Sequence, residues 1–162
     1  MTTIDRRRMT GKAAIPVLII IAFLTMYFIF FANSPPSEIS FQGHILGPRE
    51  ETENNSNKDF RIFSYKDRSA NHMLLLLMPE DDSVTADELI AFYAGNFETQ
   101  GFSFSIDGTR QLGLRDDEAI YLTTAANLGS AIAYIEKGGE SAPRKPDDAD
   151  SLFLALERFS FD

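Results

Sequence analysis

From Ala13 to Ala32 the chain runs for 20 residues without a charged side chain. No other feature restricts so severely what this polypeptide can become. As a helix the run is about 30 Å long, the thickness of a bilayer's hydrocarbon core. Twelve of its residues are Ile, Leu, Val or Phe. At roughly −0.4 kcal/mol each they favour insertion by about −5 kcal/mol. The anchor is assigned to Ile15, Val17, Leu18, Ile19, Ile20, Ile21, Phe23, Leu24, Phe28, Ile29 and Phe30. Pro16 falls in the first turn, where a missing N–H costs least. Tyr27 suits the far interface. Arg6, Arg7, Arg8 and Lys12 precede the run, and such a basic flank stays on the cytoplasmic side. The expectation is a single-pass protein, N-terminus cytoplasmic and C-terminal domain extracytoplasmic, whose first partner is the lipid bilayer.

Three other readings compete with this one. A buried core helix is disfavoured, because the run is apolar on every side and follows a basic cluster. A cleaved secretory signal has a shorter apolar region, ~15 residues at most. Ala32-Asn33-Ser34 loosely resembles a cleavage site, but Pro35 and Pro36 follow it directly. Arg7-Arg8 hints at twin-arginine export, yet Met9-Thr10-Gly11-Lys12 lacks the apolar pair of that signal. The organisation expected is a basic segment at 1–12, a transmembrane helix at 13–32, a polar tether at 33–58 and an acidic domain at 59–162.

Charge divides along the same boundary. Residues 1–12 carry four basic side chains against Asp5, a net of +3, whereas residues 33–162 hold 11 basic and 23 acidic side chains, a net of −12. So acidic a domain repels nucleic acid and anionic headgroups. The chain has no cysteine. That removes disulfides, thiolate zinc sites, a cysteine nucleophile and a lipid-modified cysteine from consideration. A disulfide-free exported domain favours a bacterial envelope, at the inner membrane.

Within the tether, Ile39-Ser40-Phe41 and Ile45-Leu46 offer a short edge strand, and Pro48 to Lys58 reads as unstructured. Asn54-Asn55-Ser56 matches a glycosylation acceptor. Phe60 to Tyr65 reads as a strand, and His72 to Met78 as a strand buried on both faces. Thr85-Ala86-Asp87-Glu88 is a capping box. Leu89, Ile90, Tyr93 and Phe97 follow at helical spacing, and Gly101 closes the helix as its C′ residue. Phe102 to Ile106 alternates, with one face buried and one wet. Asp107-Gly108 is a two-residue hairpin turn, with Thr109 to Leu114 returning. Ala119 to Ala125 and Ser130 to Glu136 are further strands. Asp150 to Phe159 fits a helix or a strand. The fold class expected is α+β: a transmembrane helix, then a small, mostly antiparallel sheet with one helix packed on it.

The chemistry-bearing residues form no recognisable motif. His44 and His72, the only two histidines, sit far from metal-ligand spacing. The acidic runs Glu80-Asp81-Asp82, Asp116-Asp117-Glu118 and Asp147-Asp148 lack the alternation of a calcium loop. No catalytic, metal or cofactor residue is assigned. The function expected is a non-enzymatic accessory or scaffold protein of the envelope, acting through contacts with another envelope protein or membrane complex. An exposed strand edge or apolar patch would be its contact surface. A second reading is a sensor for a small apolar ligand held near Phe92 and Phe97. A third is a carboxylate-dependent hydrolase with a carboxyl pKa pushed out of its normal range.

Overall fold

The computed structural model describes residues 35–52, 59–138 and 149–161. The anchor residues, Arg6 to Arg8, Lys12 and the Asn54 acceptor lie outside them. Among the described residues no helix is long and apolar enough to cross a membrane.

The folded unit begins at Pro36. Its elements are β1 (Ile39–Phe41), β2 (His44–Leu46), β3 (Glu50–Thr52), β4 (Phe60–Lys66), β5 (His72–Pro79), α1 (Ala86–Glu98), β6 (Ser103–Asp107), β7 (Arg110–Arg115), β8 (Glu118–Ala125), β9 (Ser130–Lys137) and α2 (Asp150–Glu157). A seven-stranded sheet has the order β3-β4-β5-β9-β8-β7-β6, and β1 and β2 form a separate hairpin. Every pairing is antiparallel. The expected meander is β6 to β9, and the chain passes from mid-sheet to its far edge through α1.

The period of two along the central strands sends side chains to two separate cores. Leu77, Leu122, Ala131 and Ala133 meet Leu89, Ile90 and Ala94 of α1 on one face. Leu74, Leu76, Tyr121, Ile132 and Tyr134 face the other way, towards Phe41 and Leu46 of the hairpin and Leu152, Phe153 and Leu156 of α2. The sheet is covered on both sides, which explains the unbroken apolar run of β5. Each fully buried Leu or Ile contributes roughly 1.5–3 kcal/mol.

Two helices pack on the sheet, where one was expected. α1 forms as its sequence requires. Thr85 Oγ1 accepts from Glu88 N at 3.3 Å, and Glu88 Oε2 accepts from Thr85 N at 2.9 Å. At its far end Gly101 takes φ +94°. Gly101 N donates to Glu98 O at 3.0 Å and Phe102 N to Phe97 O at 3.1 Å. The two rings then meet edge-to-face at 5.6 Å, so Gly101 is the C′ residue of a full Schellman closure. α2 resolves the ambiguous C-terminal stretch. It starts after Ala149 with no side-chain cap, so Asp150 is its first residue rather than its cap. Arg110 of β7 pins it, through Nε to Glu157 Oε1 at 2.6 Å, Nη2 to Glu157 Oε2 at 3.0 Å and Nη1 to Asp150 Oδ1 at 3.1 Å.

The described part of the presumed tether is folded. Gln42 and Gly43 both take positive φ, the requirement of a tight hairpin turn whose twist matches its strands. Ile39 and Phe41 point inward with Leu46, which is fully buried. Phe41 meets Tyr134 at 5.0 Å and Phe159 at 6.0 Å, both edge-to-face. Glu50 to Thr52, expected to be unstructured, pairs with β4 as the outermost strand. Its exposed side chains give no apolar alternation to read. The β6–β7 turn is displaced by one residue, because Asp107 pairs with Arg110 and leaves Gly108-Thr109 as the loop.

Candidate functional site

Three polar side chains converge where the β1–β2 hairpin meets the turn between β4 and β5: His44, Asp67 and His72. One ligand-capable atom from each lies within 4.8 Å of the others. The turn builds the site. Asp67 Oδ1 accepts from Asn71 N at 3.0 Å and His72 N at 3.4 Å. Its Oδ2 accepts from Ser69 Oγ at 2.8 Å and lies 2.9 Å from His72 Nδ1. Asp67 N donates to His72 O at 3.0 Å, closing the turn from the backbone side.

That network sets the protonation of the acid. Burial acts to raise the Asp67 pKa. The hydrogen bonds from His72, Ser69 and the backbone outweigh it and hold the carboxyl well below the usual carboxylate range. Asp67 is therefore an anion that fixes the His72 ring. With Nδ1–H directed at the carboxylate, His72 keeps Nε2 as its basic nitrogen.

His44 completes the group from the hairpin. Its ring stacks on that of His72 with centroids 3.7 Å apart and planes inclined by 21°. The His72 ring in turn lies over Tyr134 at 6.3 Å. Glu136 stands directly opposite His72 across the β5–β9 ladder and accepts from Tyr121 Oη at 3.3 Å. The three converging residues are all half-buried. The sequence conceals this meeting, because His44 and Asp67 come from segments read as tether and turn. In the hairpin Phe41 pairs with His44 and Ile39 with Leu46, a register that local sequence does not announce.

The sheet's two edges differ in chemistry. β3 is three residues long and exposed throughout. Glu50 is held by Lys66 Nζ at 2.9 Å, and Glu51 by Arg61 Nε at 2.8 Å. Short, charged edges of this kind discourage further pairing. β6 is longer and contains no lysine, arginine or proline. Along it burial fades: Phe104 is half-buried, whereas Ile106 is 66% exposed. The expectation of one buried face holds only for its first half.

The other predicted residues fall into the packed fold. Phe92 and Phe97 engage Phe60, Tyr93 and Phe102 through ring contacts between 5.6 and 6.3 Å, the geometry of mutually packed aromatics. Burial pushes the Tyr93 hydroxyl up to about 12. Among the described carboxyls with a displaced pKa, the direction is always downward. The Arg61 hydrogen bond lowers Glu51, and the Arg110 hydrogen bond lowers Glu157. For Glu118, burial acts upward, but Lys137 and Arg115 prevail. No protein-family model, curated protein or solved structure matches this chain.

Proposed function

We propose that this chain is a membrane-anchored, non-enzymatic accessory or scaffold protein of the bacterial cell envelope. Its N-terminal helix holds it in the inner membrane, and its acidic domain engages another envelope protein outside the cytoplasm. The observation that carries this reading is the contrast between the two sheet edges. β3 is guarded by charge, whereas β6 presents Ser103-Phe104-Ser105-Ile106-Asp107 with an exposed apolar side chain. A partner adding a strand there gains main-chain hydrogen bonds and apolar contact with Ile106. The net charge of −12 over residues 33–162 favours a partner with a basic surface, with association faster at low salt.

The test is affinity purification of the full chain from gently solubilised membranes, comparing the native protein with Ile106→Lys. The native chain retains a discrete partner and the variant loses it. Equal recovery with both proteins contradicts the assignment of β6 as the contact.

A further inference from the structure

We propose that His44 and His72 are paired imidazole ligands for one divalent transition-metal ion, with Asp67 orienting His72, and that the ion clamps the β1–β2 hairpin to the sheet. Both histidines of the 162-residue chain meet at this one place, from elements 28 residues apart in sequence. Asp67 already receives four hydrogen bonds through its two oxygens, so its lone pairs are committed. Its role is the one carboxylates take behind metal-bound histidines: it fixes tautomer and ring direction. The anionic Asp67 beside His72 and Glu136 opposite it favour an added cation.

The rings dictate how binding proceeds. An ion lies in the plane of each imidazole that ligates it. Rings stacked 3.7 Å apart and only 21° from parallel have no point within bonding reach that lies in both planes, so one ring must turn. Asp67 holds His72, whereas His44 sits on a hairpin whose neighbours Gln42, Gly43 and Ile45 are exposed. His44 is therefore the ring that swings, and ligation replaces the stack with two nitrogens on one ion. Imidazole pairs select Zn²⁺, Cu²⁺ or Ni²⁺ over Mg²⁺ and Ca²⁺, which prefer oxygen. Water fills the remaining positions.

The experiment is calorimetric titration of Zn²⁺ into the full chain in detergent micelles, with excess Mg²⁺ and Ca²⁺ to occupy surface carboxylates. The expected result is one Zn²⁺ per chain. His44→Gln abolishes that binding, and Asp67→Asn weakens it about 10–100-fold. Absence of saturable binding overturns the proposal, as does an unchanged isotherm for His44→Gln, which places the ion on carboxylates. Imidazole ¹⁵N spectra of the native chain decide independently if His44→Gln does not fold. Zinc-induced shifts at a nitrogen of both rings support the site, and a shift at one ring or neither overturns it.

Discussion

Replacing Phe41 by alanine asks whether the β1–β2 hairpin belongs to the folded core or is merely part of a tether. Phe41 is 6% exposed, and its ring lies edge-to-face on Tyr134 and Phe159 at 5.0 and 6.0 Å. Truncating so buried a phenylalanine removes its transfer free energy and leaves a cavity, together about 3–5 kcal/mol. A domain of this size has about 5–15 kcal/mol in all, so the loss is severe. The assay is urea unfolding of the full chain in mild detergent. The chain has no tryptophan and five tyrosines, three of which, Tyr65, Tyr121 and Tyr134, are fully buried on the hairpin's face. Tyrosine fluorescence and near-ultraviolet dichroism therefore report on this core. Phe41→Ala lowers the unfolding free energy by about 3–5 kcal/mol, seen as a lower urea midpoint with little change in slope. A loss under about 0.5 kcal/mol, typical of a surface position, refutes docking of the hairpin.

Gly113 faces Phe104 across the β6–β7 ladder, and a Cβ at Gly113 would approach the ring's Cζ to 2.6 Å. Gly113→Ala therefore displaces the ring and costs about 1–3 kcal/mol; combining it with Phe104→Ala relieves the clash, so the two losses measured by urea unfolding are not additive. Glu157→Gln breaks the paired hydrogen bonds from Arg110 and lowers stability by about 1 kcal/mol after solvent screening. Because folding holds the Glu157 pKa down, that stabilisation is fully present above the ordinary glutamate pKa of about 4.3 and is lost as pH falls through the lowered folded value. Thermal melts from pH 7 to pH 2 should show a smaller acid-dependent drop for Glu157→Gln than for the native chain. Ile106→Lys, which abolishes partner recovery under the edge-contact reading, leaves the unfolding free energy within about 0.5 kcal/mol of the native value.

Local signals located most of the sheet and α1. Thr85, Glu88 and Gly101 act through hydrogen bonds within a few residues of themselves, so their roles are readable without tertiary knowledge. The apolar run of β5 likewise announces burial on both faces. The errors arose where tertiary contact decides. Ile39, Phe41 and Leu46 are too few to mark a hairpin, and Gln42 is an unusual residue at positive φ. The exposed Glu50-Glu51-Thr52 is a strand only because β4 lies beside it. α2 was ambiguous because eight residues give little periodicity and Asp150 does not cap it. The meeting of His44 with His72 was invisible for the same reason as the hairpin: it exists only once residues 39–46 fold back onto the sheet.

The absence of cysteine makes the membrane assignment directly measurable. Single cysteines are placed at Thr3, before the apolar run, and at Thr109, in the exposed β6–β7 loop. Spheroplasts are then treated with a membrane-impermeant maleimide. Labelling at 109 in intact spheroplasts, and at 3 only after lysis, is the result expected of an uncleaved anchor with its domain outside. Equal labelling of both positions, the reverse pattern, or recovery of the domain in the soluble fraction with its first 34 residues removed contradicts it.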